Sequence, residues 1–157
     1  MSSLPGGRQA KTRHEKEEKM KVNITRVDKD FHMQAFGSTG VPVDIDAGEA
    51  TGGHNLGARP MELVLMALGS CSSLDIISIL RKQKQEIDDL DIELEAKRRE
   101  NEIPAIFEEM HITFKLRGNL NEEKVKRAVE LSVEKYCSVY EMLKQVAKIT
   151  YSCEINK

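Results

Sequence analysis

Wound as a helix, the stretch from Leu63 to Leu80 is apolar on every side, and this limits the folds open to the chain more than any other feature. A helix lying on one sheet needs a single apolar stripe. Here Val64, Leu65, Met66, Leu68, Leu74, Ile76, Ile77 and Ile79 surround the axis. The helix must therefore be covered on several sides. A chain of 157 residues with two further helices is hard pressed to do so alone, so a second copy is expected to supply part of the cover, with Gly69, Ser70, Ser72 and Ser73 allowing close approach beside Cys71. A membrane span needs about 20 apolar residues, and Ser70, Ser72, Ser73, Asp75 and Ser78 interrupt this stretch. It reads as the core helix of a soluble protein, with no membrane partner.

Charged residues make up 32% of the chain but the net charge is only −2, which gives no global signal for nucleic acid or an acidic membrane surface. Three cysteines and no secretory leader pattern argue against a disulfide framework and for a reducing cytoplasm. Residues 1–19 read as a leader or flexible arm: Ser, Pro and Gly first, then a nearly continuous charged run. Arg8, Lys11, Arg13, Lys16 and Lys19 could meet an anionic partner, but Glu15, Glu17 and Glu18 dilute them and a solvated tail is the simpler reading. A single domain is expected over residues 20–157.

Alternation from Met20 predicts a hairpin, with Val22, Ile24 and Arg26 before an Asp-Lys-Asp turn and Phe31, Met33 and Ala35 after it. A short strand over Val41–Ile45 follows, then a glycine-rich loop from Gly48 to Gly57. Pro60 and Glu62 suit a first helical turn, and the helix should run to about Lys84. Leu90–Ala96 and Met110–Leu116 each show one buried and one wet strand face. Asn121 is an N-cap for an amphipathic helix carrying Val125, Ala128, Val129, Ser132, Val133 and Tyr136 on one stripe. Ser138-Val139-Tyr140-Glu141 matches a capping box, which predicts a short helix starting after Cys137 and ending near Ala147, before a last strand through Ile149, Tyr151, Cys153 and Ile155. The order β-β-β-α-β-β-α-α-β defines an α+β fold with strands from both ends of the chain.

Two of the cysteines admit a chemical reading. Cys71 lies well past its helix start, so burial would raise its pKa, and it reads either as a packing thiol or as a nucleophile that needs a cation or donor from another segment. Cys137 stands beside a fresh helix N-terminus that favours thiolate, or is merely a small residue at a helix break. Cys153 falls among the apolar positions of the last strand and reads as packing. No CxxC occurs and the four histidines are scattered, so a structural zinc site is not expected. Glu62 can serve the helix dipole or touch a site, Arg59 can be solvated or supply a cation, and His54 reads as an exposed loop side chain.

The run Gly57-Ala58-Arg59-Pro60-Met61-Glu62 through Cys71 to Lys82, with Lys135-Tyr136-Cys137-Ser138-Val139 downstream, closely resembles the OsmC/Ohr family of osmotically inducible and organic hydroperoxide resistance proteins. The resemblance covers the chain from about Met20 to Lys157. It implies an intertwined homodimer in which long central helices pack against antiparallel sheets, with sites at the subunit interface. It also implies a thiol peroxidase: Cys71 would attack an organic hydroperoxide and become a sulfenic acid, Cys137 would condense with it, and a dithiol reductant such as a lipoyl group or a small thiol would restore both. In the hydroperoxide branch a glutamate directly follows the proline and holds an arginine from the N-terminal hairpin. Here Met61 follows Pro60, so Glu62 is a shifted candidate, and Arg59 stands in for an arginine that Arg26 and Lys29 do not clearly provide. The resemblance implies no cofactor. An alternative is a module of the same fold that binds a small apolar ligand at the dimer interface without catalysis, and the basic arm leaves open an interaction protein.

Overall fold

The computed structural model describes residues 19–156, so the charged run before Lys19 lies outside the described residues. Two compact units divide after Gly57.

In the first unit, β1 (Asn23–Arg26), β2 (Met33–Phe36) and β3 (Pro42–Ile45) form an antiparallel meander in which Ile24 pairs with Ala35 and Ala35 with Val43. The Asp28 carboxylate organises the first turn by accepting the N–H groups of Asp30 and His32. Asp46 does the same for the following loop: almost wholly buried, it accepts from the N–H groups of Ala47, His54 and Leu56 at 2.8, 3.0 and 3.1 Å. A single carboxylate thus takes up three backbone donors in a glycine-rich segment without regular structure.

The second unit holds α1 (Pro60–Lys82), β4 (Asp89–Arg98), β5 (Phe107–Arg117), α2 (Glu122–Leu131), α3 (Ser138–Leu143) and β6 (Lys148–Asn156). Leu90, Ile92 and Leu94 alternate with exposed acids along β4, while Met110, Ile112, Phe114 and Leu116 of β5 are buried. These four side chains meet Leu68, Ile76 and Leu80 of α1 and Val125, Ala128 and Val129 of α2. Each such buried apolar side chain contributes about 1.5–3 kcal/mol, so this layer is the main stabilising feature of the unit. Asn121 caps α2 as the sequence predicts, its side chain accepting from the Lys124 N–H at 3.0 Å.

The α+β class and the order of elements agree with the sequence, but the sheets differ in detail. The strands from the two ends of the chain belong to separate three-stranded sheets, β1-β2-β3 and β4-β5-β6. The second is mixed: β4 pairs antiparallel with β5, and β6 runs parallel to it. The intervening helices carry the chain back across the sheet, and such a crossover returns a strand in the parallel sense.

Two helix boundaries also depart from expectation. α1 stops at Lys82, two residues early, because Lys84 takes up a left-handed φ of 55°. Past Leu131 the helix widens into a π turn over Ser132–Tyr136, and α3 ends at Leu143 where Ala147 was expected.

By length and composition α1 could cross a membrane, but Leu68, Ile76 and Leu80 are fully buried against the sheet and α2, the setting of a core helix. Among the described residues its cover is nonetheless incomplete: Leu74 is 70% exposed and Met66 53%.

Candidate functional site

Each end of the candidate site is set by a local device. Pro60 opens α1, and the Glu62 carboxylate turns back to accept the Arg59 N–H at 2.8 Å, fixing the first turn. Farther along, the small residues let the helix approach β4. A Cβ on Gly69 would lie 2.7 Å from Cδ1 of Leu94, so a larger residue there would require the Leu94 side chain to shift. The serines cost little in this apolar helix because each bonds back to its own turn: Ser70 Oγ donates to the carbonyl of Met66 at 2.7 Å, Ser72 to Leu68 at 3.1 Å, and Ser73 to Gly69.

The other end is the π turn. Its defining bond runs from the Cys137 N–H to the carbonyl of Ser132 at 2.8 Å, five residues back. The Ser132 hydroxyl, fully buried, donates to the carbonyl oxygen of Ser72 at 2.7 Å. Tyr151 of β6 anchors the same turn from outside, its hydroxyl donating to Glu134 at 2.6 Å. These bonds bring Cys137 to α1, where its thiol lies against the Ser72 hydroxyl and the Cys71 thiol.

The two thiols differ in access. Cys71 is half-buried, whereas Cys137 is 3% exposed. The sequence placed Cys71 in a helix apolar on every side and Cys137 at a helix break, and it assigned the second thiol no burial. Cys137 is itself the N-cap of α3, its Sγ accepting the Tyr140 N–H at 3.3 Å, so the cap falls one residue before the expected Ser138. That bond and Ser72 favour the thiolate, but burial is the larger influence, and with Cys71 alongside it pushes the Cys137 thiol up from its ordinary value. The dipole advantage read from the sequence is thereby outweighed.

Cys153 occupies the inward face of β6 opposite Phe114 and is also pushed up by burial. Its charged neighbours are Lys126 and Glu122 of α2. It stands apart from the pair, in the packing role its strand position suggests. All three thiols are free.

Arg59 and Glu62 sit at the start of α1, and at 1.5 Å per residue Glu62 lies roughly 13 Å before Cys71 along the axis. Within one chain the structure does not bring either of them to the thiols. His54 is exposed, as expected, and bonds to Asp30 at 2.7 Å. Asp28 joins these two to give a group of oxygen and nitrogen atoms within 4.8 Å of one another, whose turn and loop bonds account for its shape.

The sequence did not single out Ser132, Asp46 or Asp75. Ser132 was read as one more position on an amphipathic stripe. Asp75, a carboxylate in the middle of an apolar helix, was the detectable signal, and it was used only to argue against a membrane span.

The geometry defines a dithiol site built on a long core helix, and comparison with known proteins gives the family. The model for the OsmC-like protein family matches residues 52–152. The chain belongs to the OsmC-like family. It is 42% identical over 118 residues to protein YhfA of Escherichia coli strain K12, covering 69% of this chain and 87% of that relative. Among solved structures it resembles a hypothetical protein from Aquifex aeolicus VF5, with TM-score 0.73, 34% identity and coverage of 89% of this chain and 99% of the other. The organic hydroperoxide resistance protein OhrB of Bacillus subtilis shares the fold, with TM-score 0.58 and 20% identity over 87% of this chain and 98% of the other.

Proposed function

We propose that this protein is a cysteine-based peroxidase that reduces organic hydroperoxides, with Cys71 as the attacking thiol and Cys137 as its partner. The observation that carries the reading is the placement of two free thiols from distant parts of the chain against each other, held by the Ser72–Ser132–Cys137 hydrogen bonds. Membership of the OsmC-like family supports a redox or peroxide-resistance role, and the fold shared with an organic hydroperoxide resistance protein points to the substrate class.

The difference in exposure assigns the steps. A hydroperoxide can reach the half-buried Cys71, whose thiolate attacks the terminal oxygen; the S–O bond forms, the O–O bond breaks, and the alkoxide leaves as the alcohol after taking a proton. The product is the Cys71 sulfenic acid. Cys137, screened from solvent, then attacks that sulfur, and a disulfide forms with loss of water. A dithiol reductant, a lipoyl group or small thiol, returns both cysteines to the starting state.

The exposed Leu74 and Met66 on α1 support a homodimer whose second copy covers that face. In that assembly Arg59 and Glu62 would reach a thiol across the interface and supply charge to it. The site is expected to work in a reducing cytoplasm.

The test is mass spectrometry of the three thiols after one equivalent of cumene hydroperoxide. A disulfide between Cys71 and Cys137 with Cys153 unmodified is the expected result. If all three thiols stay reduced, the fold serves as a ligand-binding module and the peroxidase reading fails.

A further inference from the structure

Cys137 is almost wholly buried, so a thiolate formed there depends on donors from the protein and not on water. One is the Tyr140 N–H, 3.3 Å from Sγ. The second is the hydroxyl of Ser72, which is itself fully buried and lies against the same sulfur. Backbone bonds put it there. Ser132 Oγ donates to the Ser72 carbonyl at 2.7 Å and the Cys137 N–H donates to the Ser132 carbonyl at 2.8 Å, so one serine ties Ser72 to Cys137.

A serine hydroxyl carries one hydrogen, and that of Ser72 has both the Leu68 carbonyl and Cys137 Sγ within reach. It donates to Leu68 at 3.1 Å, longer than the 2.7 Å bond that Ser70 makes to Met66 in the same pattern. The Leu68 oxygen lies four residues before Ser72, so the helix's own N–H already serves it. Little is lost when the hydroxyl leaves. A thiolate is a stronger acceptor than a carbonyl already bonded, and ionisation of Cys137 therefore draws the hydrogen across. Among the titratable groups, the Cys71 thiol of α1 opposes that ionisation, while Glu134 of the π turn is taken up by Tyr151 of β6.

We infer that Ser72 is a catalytic donor to Cys137, its hydroxyl turning from the Leu68 carbonyl to Sγ whenever that sulfur carries charge. The inference rests on the peroxidase reading for the steps in which this happens. Once Cys71 is a sulfenic acid, the Cys137 thiolate attacks its sulfur: the S–S bond forms, the S–O bond breaks, and the leaving hydroxide and the proton given up by Cys137 make water. Sγ then has no charge, and the Ser72 hydrogen returns to Leu68. In the reduction a thiolate of the dithiol reductant attacks Sγ of Cys71, the more exposed sulfur, and the S–S bond breaks with its electron pair on Cys137. Ser72 and the Tyr140 N–H receive that leaving thiolate. The reductant's second thiol then displaces Cys71, and the reductant departs as its disulfide.

The test uses full-length protein and the variant Ser72→Ala, which keeps the carbonyl that anchors the π turn. In a Cys71→Ser, Cys153→Ser background carrying Cβ-labelled cysteine, NMR follows the ionisation of Cys137 alone, and Ser72→Ala should move it to higher pH. In single turnover with cumene hydroperoxide and all three cysteines present, Ser72→Ala should leave the oxidation of Cys71 at the parental rate. Disulfide formation should slow by about threefold to tenfold near neutral pH, because losing a hydrogen bond to charge cuts the thiolate population while the thiolate that remains is the better nucleophile. The difference should close in alkaline solution, where Cys137 is ionised with or without the hydroxyl. Ser73→Ala, which removes the neighbouring buried hydroxyl bonded to Gly69, should change neither readout. An unchanged Cys137 titration would overturn the inference, as would matching effects from Ser73→Ala. Equal slowing at every pH would mean a structural role, and slower oxidation of Cys71 would assign the hydroxyl to the other thiol; either overturns it. If cumene hydroperoxide leaves every thiol reduced while Ser72→Ala still moves the titration, the peroxidase reading falls and the donor role of Ser72 stands.

Discussion

The hydroxyl of Ser132 donates to the carbonyl oxygen of Ser72 at 2.7 Å, and through this bond the π turn is fastened to the core helix one residue away from Cys71. Both serines are fully buried, so the bond has no competition from water. Ser132→Ala should lower stability by about 1–3 kcal/mol, the cost of a lost buried hydrogen bond, and should also slow disulfide formation between Cys71 and Cys137. Urea unfolding and stopped-flow oxidation measure the two effects. A variant as fast as the parent would show that the bond stabilises without positioning.

The cysteines should separate by role. Cys71→Ser is expected to abolish hydroperoxide consumption, while Cys137→Ser should permit one oxidation and then trap Cys71 as sulfenic acid, passing to sulfinic acid with excess peroxide. Cys153→Ser should change turnover little. Retention of activity by Cys71→Ser, with loss of the first oxidation in Cys137→Ser, would reverse the assignment.

Alkylation should discriminate between the same residues in a pH-dependent way. Burial raises the Cys137 thiol above its ordinary value of 9.0 and screens it, so iodoacetamide should modify Cys71 first, with Cys137 reacting only in strongly alkaline solution or after unfolding. Peptide mapping across a pH series gives the order. Equal rates at neutral pH would mean that Cys137 is open to solvent.

A separate pH effect belongs to the first unit. Hydrogen bonding to Asp30 raises the His54 pKa above its ordinary 6.5, so the folded unit favours the protonated ring. The tether this gives to the glycine-rich loop is therefore complete below pH 6.5 and lost as pH rises through the raised value. Asp30→Asn should lower the His54 pKa in an NMR titration of its ring protons. An unchanged titration would remove Asp30 as the cause.

At Gly69 the prediction is steric. Gly69→Val should destabilise by about 1–3 kcal/mol, because its Cβ would stand 2.7 Å from a terminal methyl of Leu94 and 3.4 Å from Ile92, so that the Leu94 side chain must shift out of its packing to admit it. The urea midpoint reads this directly. A variant of parental stability would mean that β4 and α1 can move apart freely.

Patterns carried by side chains were legible in the sequence. The alternation of Leu90, Ile92 and Leu94 against Asp91 and Glu93 matches β4, and Asn121 caps α2 where a capping residue was expected. Both follow from local rules of period and hydrogen bonding. The separation of the strands into two sheets was not legible, because pairing partners are chosen by contacts between distant segments and not by the pattern within each strand. Nor was the difference in exposure between the thiols. Cys71 looks enclosed by its apolar neighbours, yet among the described residues part of its helix face is left uncovered, while Cys137 is buried by packing against a helix far away in sequence. Cys137 was read as the residue before a cap because Ser138 fits the capping pattern; a sulfur acting as cap has no comparable signature.

The π turn is in effect a single extra residue accommodated in a helix, and its influence comes from counting. Wound as an ordinary α-helix with no residue removed, Ser132–Tyr136 would swing everything after them by about 100°, the angle per residue, and turn Cys137 away from Cys71. Deleting one residue of the turn would instead place Cys137 four residues after Ser132, so that the same N–H to carbonyl bond becomes an ordinary helical one and Cys137 keeps its place one turn beyond it. The two sulfurs therefore meet because the wider turn absorbs the extra residue, and a homologous chain that lacks it reaches the same meeting with a plain helix.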